Sequence, residues 1–143
     1  YVASDLYKSL PKKKLKEMQF VLPVDDLLVN GVVDCVVETA DGLLLVDYKT
    51  GRPPKQDEVK LGYAYQLAIY KYAVEKLLNK KVIEAKLHFL QNLSEWSMPM
   101  DKDYLDASLA LCNEIRSKAK EEDFTCNLAN CKYCPYNYLC PQK

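Results

Sequence analysis

A chain of 143 residues, 49% hydrophobic and 28% charged, has the size and balance of one domain with its own core, which excludes a disordered or fibrous chain. Its 20 basic residues match its 20 acidic ones, so any grip on phosphates rests on local clusters or on a neighbouring domain, not on net charge. No apolar run is long enough to span a bilayer and no signal-peptide pattern is present. The chain opens on Tyr1 and not on Met, and we read it as a fragment of a longer protein.

In chain order, residues 1–10 read as a helix ended by Pro11. Glu17 to Val24 alternates imperfectly as a first strand, Leu27 to Glu38 is a second and Gly42 to Lys49 a third. Asp41-Gly42, set between apolar runs, marks a tight turn that joins the second and third strands in a hairpin. Thr50-Gly51-Arg52-Pro53-Pro54 is a loop. Glu58 to Leu78 carries Leu61, Tyr65, Ala68, Ile69, Tyr72, Ala73 and Leu77 at helical spacing. Val82 to Leu90 and Glu95 to Met100 supply a fourth and a short fifth strand, and Asp101 to Glu121 a second long helix capped near Asp101. The order βββ-α-β(β)-α specifies an α/β domain, a mixed sheet flanked by helices. The basic cluster Lys12, Lys13, Lys14 and Lys16 reads as a solvated face; Arg52 and Lys55, just past the third strand, suit phosphate contact equally well.

Three motifs converge on one chemistry. Asp47 and Lys49 are two apart on a strand and project together, while Tyr48 faces away. The hairpin brings Asp34 from the neighbouring strand to the same region. Gln66 and Tyr70, four apart, share one face of the following helix. Two carboxylates favour a hard cation such as Mg²⁺ or Mn²⁺, which can activate water and stabilise charge on a phosphate. With the lysine beside them they make the arrangement a metal-dependent phosphodiesterase needs. The plain alternative is a surface pair of Asp47 with Lys49 and a turn residue at Asp34.

At Gly31-Val32-Val33-Asp34, Leu45-Val46-Asp47-Tyr48-Lys49-Thr50-Gly51 and Gln66-Leu67-Ala68-Ile69-Tyr70 the chain resembles the PD-(D/E)XK nuclease superfamily, in its RecB-like branch of AddAB-type and RecB-type helicase-nucleases. The resemblance spans about residues 17–140. It implies a restriction-endonuclease-like fold and a Mg²⁺- or Mn²⁺-dependent deoxyribonuclease, an exonuclease on single strands. The setting it implies is cytoplasmic DNA end processing and recombinational repair, its partners being DNA and a helicase domain or helicase subunit. Asp34, Asp47 and the Tyr48 backbone carbonyl would hold the metal. Lys49 would orient water or stabilise the transition state, and Gln66 and Tyr70 would hold the substrate backbone. Glu17 stands where AddA-like members carry a Glu; a solvent-facing strand residue is the equal alternative. The upstream His of many RecB-like enzymes is absent, and the single histidine, His88, reads as structural. A catalytically silent scaffold of the same fold is the rival reading.

Cys35 and Cys112 read as small buried hydrophobes. Cys126, Cys131, Cys134 and Cys140 form a C-x4-C-x2-C-x5-C tail, residues 124–143 after a core of 1–123. In an intracellular enzyme such clustering points to a metal, either Zn²⁺ or an iron–sulphur cluster. Cys131, Cys134 and Cys140 resemble the ending of iron–sulphur nucleases, which implies a [4Fe–4S] cluster; the upstream fourth ligand of those families is not matched here, and Cys126 is favoured in its place over a ligand outside this sequence.

Overall fold

Among the described residues, five strands form a single mixed sheet whose spatial order follows the chain: β1 (Lys14–Val24), β2 (Leu27–Glu38), β3 (Leu43–Lys49), β4 (Val82–Phe89) and β5 (Ser94–Ser97). Among the described residues the chain also forms two helices, α1 (Leu61–Leu78) and α2 (Leu105–Lys120). The computed structural model describes residues 14–24, 26–51, 53, 61–101, 103–123, 131, 134–135 and 137–140. The predicted N-terminal helix, Lys12, Lys13, Arg52, Lys55 and Cys126 lie outside the described residues. The chain divides into two compact units, Tyr1–Ala110 and Leu111–Lys143. No helix among the described residues is long and apolar enough to cross a membrane.

Among the described strands only β3 and β4 pair in parallel, with α1 as the crossover between them; the other pairs are antiparallel. β3 is the central strand and reads Leu-Leu-Leu-Val because both its faces are covered. Leu43 and Leu45 join Phe20, Val33, Val36, Leu87 and Phe89 under α1, which contributes Ala64, Leu67 and Val74. On the reverse face Leu44, Val46 and Tyr48 pack with Cys35 and Val37.

The apolar stripe of α1 is narrower than its spacing predicted. Leu61 and Leu77 are 60% and 49% exposed, and Ala64, Leu67, Ala68, Ala73 and Val74 are the buried set. Asn79, at φ 49°, ends the helix in the left-handed conformation a C′ residue takes. Glu75 Oε1 accepts the Val82 N–H at 2.9 Å and ties the last turn of α1 to the start of β4. The cap of α2 is Asp103, two residues beyond the predicted Asp101: its Oδ1 accepts the Leu105 N–H at 3.1 Å. β1 begins at Lys14, three residues before the predicted Glu17.

Glu17 sits inside β1 with φ 51°. Its neighbours pair in unbroken register, Lys16 with Cys35 and Met18 with Val33, but Glu17 and Asp34 do not pair. The pleat skips at this point in both strands. Val33 and Val36, three apart in β2, both face α1, where a regular pleat would send them to opposite sides. Met18, Phe20 and Leu22 follow the same shift in β1, whereas Lys16 lies across from Cys35 on the reverse face.

Gly31 lies within β2 opposite Phe20, not in a turn. A Cβ there would stand 2.8 Å from Phe20 Cζ and 3.5 Å from Tyr70 Cε1, so the missing side chain makes room for the Phe20 ring and brings Tyr70 against it.

Two stability changes follow. Glu17→Gly relieves a left-handed backbone at an exposed side chain and raises unfolding free energy by about 0.5–1 kcal/mol in denaturant titration. Gly31→Ala overpacks the Phe20–Tyr70 contact and lowers it by about 1–3 kcal/mol.

Candidate active site

Period two in β3 puts Leu45, Asp47 and Lys49 on the α1 side, with Leu45 in the core and the two charged residues at the open end of the strand. Asp47 is buried, its side chain 4% exposed, and that of Lys49 is 19% exposed. Lys49 Nζ lies 2.7 Å from Asp47 Oδ2 as an ion pair and donates a 2.7 Å hydrogen bond to Gln66 Oε1. Gln66 Nε2 donates to the Tyr70 hydroxyl oxygen at 3.0 Å. This chain fixes the amide: its oxygen can only face the ammonium, which accepts nothing, and its NH₂ must face the phenol. Tyr70 is held in turn by an edge-on contact with Phe20, ring centroids 5.9 Å apart at 80°.

Asp34 reaches the site by leaving the ladder. Pairing of β2 with β3 stops at Cys35 and Val46, and Asp34 Oδ2 then accepts the Tyr48 N–H at 2.8 Å, a side chain replacing a strand carbonyl. Asp34 thus stands inside β2, where the ladder opens, not at the end of the strand itself.

Burial pushes the Asp47 carboxyl above the usual carboxylate value; Lys49 opposes the shift and the Asp34 charge adds to it. Asp47 Oδ2 has no further hydrogen-bond donor among the described residues beyond the Lys49 ammonium that meets it as an ion pair. A buried carboxylate oxygen short of a further donor, with a second carboxylate near enough to be felt electrostatically, fits a hard divalent cation. Mg²⁺ is commonly held by one or two carboxylates, with water and substrate phosphate completing its shell. No group of three His, Cys, Asp or Glu residues gathers into a metal site among the described residues.

The other candidates fall elsewhere. Tyr48 turns its ring to the reverse face, edge-on to His88 at 6.1 Å. His88 is fully buried there, Nδ1 3.5 Å from Glu95 Oε1, on the side of the sheet opposite Lys49. Glu17 is exposed at the register position facing Asp34. Cys35 is buried on the reverse face, where burial pushes its thiol up and Tyr48, Lys14 and Lys16 pull against that shift. In the second unit, Cys131 and Cys140 are partly buried and Cys134 is exposed; the Cys134 N–H donates to the Cys131 carbonyl at 3.2 Å. One contact was not foreseen: the Tyr63 ring lies against Lys49, centroid 5.0 Å from Nζ. Its helical spacing with Gln66 and Tyr70 was the available signal.

A mixed sheet with a D-x-K strand end, a carboxylate from the adjoining strand and a helix-borne Gln–Tyr pair defines a nuclease-type α/β domain. The chain belongs to the PD-(D/E)XK nuclease superfamily, whose family profile matches residues 5–141. Members of that superfamily generally use divalent metals. Among curated relatives, the A subunit of the ATP-dependent helicase/nuclease of Pelotomaculum thermopropionicum is 45% identical over 71 residues, 48% of this chain and 6% of that protein. Its namesake from Moorella thermoacetica is 39% identical over 88 residues, 62% of this chain and 6% of its own length. This chain therefore spans only about one-sixteenth of those relatives. The crystal structure of SSO0001 shares the fold at TM-score 0.58 and 16% identity, covering 90% of this chain and 60% of that one.

The elevated Asp47 carboxyl carries a sign. Its stabilising contribution is full below the ordinary value of 3.8 and is lost as pH rises through the higher folded value, so at neutral pH the ionised group destabilises the metal-free fold. Asp47→Asn, which mimics the protonated form, raises the thermal midpoint at pH 7 without metal and flattens the pH dependence above 3.8. Thermal unfolding across pH measures both.

Proposed function

We propose that this domain is a Mg²⁺- or Mn²⁺-dependent deoxyribonuclease that hydrolyses phosphodiester bonds. It acts as an exonuclease on single strands within a cytoplasmic helicase-nuclease of DNA end processing and recombinational repair. The observation that carries this reading is the chain from Asp47 through Lys49 and Gln66 to Tyr70, with the Asp34 carboxylate anchored beside it on the Tyr48 amide. The motor, in the same chain or in a partner subunit, is proposed from relatives named as A subunits of ATP-dependent helicase/nucleases.

Asp34, Asp47 and the Tyr48 carbonyl would hold the divalent ion, which would supply an acidified water and charge stabilisation at the phosphate. Held by Gln66 Oε1, the Lys49 ammonium orients the attacking water and balances charge developing on the phosphoryl oxygens. Tyr70 accepts from Gln66 and keeps its own O–H proton to donate to the substrate backbone. Fixing the donor geometry before substrate arrives is what makes such groups effective.

The retained Asp34, Asp47 and Lys49 favour an enzyme over a silent scaffold of the same fold. Incubation of end-labelled linear single-stranded and duplex DNA with Mg²⁺ or Mn²⁺ tests the assignment. Wild type cleaves, and Lys49→Ala loses at least about 100-fold in rate while its unfolding curve is retained. Near-wild-type cleavage by the variant would sink the site, and attack on circular single strands would replace exonuclease action with endonuclease action.

A second metal centre is proposed for the tail, with Cys126, Cys131, Cys134 and Cys140 as thiolate ligands of a [4Fe–4S] cluster, Zn²⁺ being the alternative. The support is the spacing and the chemistry of four clustered thiols. Anaerobic purification yields brown protein with about four irons per chain if a cluster is held; zinc without iron decides for the alternative.

A further inference from the structure

We propose that Tyr63 is a positioning residue for Lys49, the face of its ring holding the ammonium in place when Asp47 is engaged by another cation. The proposal rests on the nuclease reading of the site and assigns a role to a residue outside its motifs.

Lys49 carries its charge on a flexible four-carbon stem, and its position must be enforced from outside. Three groups do so: Asp47 Oδ2 and Gln66 Oε1, each 2.7 Å from Nζ, and the Tyr63 ring, centroid 5.0 Å away. The first restraint is conditional, because Asp47 is also the carboxylate best suited to a divalent ion, and an oxygen that turns to that ion weakens its hold on the ammonium. Gln66 and Tyr63 then remain. They come from one face of α1 together with Tyr70, at positions 63, 66 and 70, so a single rigid helix carries every remaining restraint.

The ring is itself immobilised. Tyr63 meets Phe89 edge-on, centroids 6.4 Å apart at 67°, and Phe89 is 1% exposed. Phe89 is also the register partner of Lys49 across the parallel β3–β4 ladder. The ring against the ammonium is therefore backed by the strand that flanks Lys49, and the negative face of the aromatic ring is the surface a cation prefers. A leucine in its place would fill space but offer no such face.

The test uses the 143-residue chain, linear single-stranded DNA with Mn²⁺, and isotope-labelled lysine for NMR. Tyr63→Phe keeps the ring face and holds kcat within about twofold. Tyr63→Leu lowers kcat roughly 3- to 30-fold with KM unchanged, the range expected from losing a cation–π contact. In the spectra, the upfield ring-current shift of the Lys49 ε-protons persists in Tyr63→Phe and vanishes in Tyr63→Leu. Should Tyr63→Leu fail to fold, Tyr63→Met carries the same expectations. Unchanged kcat in Tyr63→Leu overturns the proposal. So does a rise in KM alone, which would make the ring a substrate contact, and so does an equal loss in Tyr63→Phe, which would assign the effect to the hydroxyl. A wild-type chain that cleaves nothing overturns the nuclease reading instead. The ring-current shift, independent of cleavage, then decides the contact: its presence upholds the positioning of Lys49 and its absence overturns it.

Discussion

A carboxylate placed almost out of water governs this domain. Asp47 stands on the central strand with a side chain 4% exposed, where an ionised group loses several kcal/mol of solvation unless cations and donors replace the water. Lys49 answers that charge from two positions along the same strand, and its ammonium, itself largely withdrawn from solvent, needs acceptors of its own. Gln66 supplies one from α1, and Tyr70 satisfies the other end of the Gln66 amide. Each partner calls for the next, so the strand end and one helix face form a single polar unit on an otherwise apolar contact.

The backbone is irregular beside that unit. Glu17 adopts a left-handed conformation and Asp34 leaves its ladder, and between them the pleat of both β1 and β2 changes phase. With unbroken pairing Asp34 would be one more rung between strands; released from it, the carboxylate caps the Tyr48 amide where β2 and β3 part. Strain of this kind persists where surrounding packing over-determines it, and here Phe20 against Gly31 and Tyr70 does so on the α1 side. The reverse face contributes a second anchor: Tyr48 packs with Cys35 and meets His88, which pins the residue between Asp47 and Lys49 from behind.

Much of this arrangement is legible in sequence because it is local. Alternation sends Asp47 and Lys49 one way and Tyr48 the other whatever the fold, and a spacing of four places Gln66 and Tyr70 on one helix face. The Asp41-Gly42 turn is equally local, Gly42 taking φ 152°. Less was legible where neighbours decide. Leu61 and Leu77 match the helical period yet face outward, because the sheet covers only the narrower stripe around Leu67 and Val74. Capping falls to Asp103, two residues beyond Asp101: its carboxylate accepts the Leu105 N–H in the first turn of α2.

The amino-acid sequence by itself determined the element order, the mixed α/β architecture, and the identity and facing of the Asp-x-Lys and Gln-x-x-x-Tyr pairs, since each follows from a repeat of two or of 3.6 residues. Tertiary structure alone decided that Lys49 lies between Asp47, Gln66 and Tyr63, that Asp34 bonds the Tyr48 amide, and that Gly31 serves an aromatic contact and not a turn. Apart from Asp47 and Lys49, two apart on one strand, those facts join residues from 11 positions apart, Phe20 with Gly31, to 39 apart, Gly31 with Tyr70. Contacts across such separations depend on which strands adjoin and where α1 crosses them, and no local periodicity contains that information.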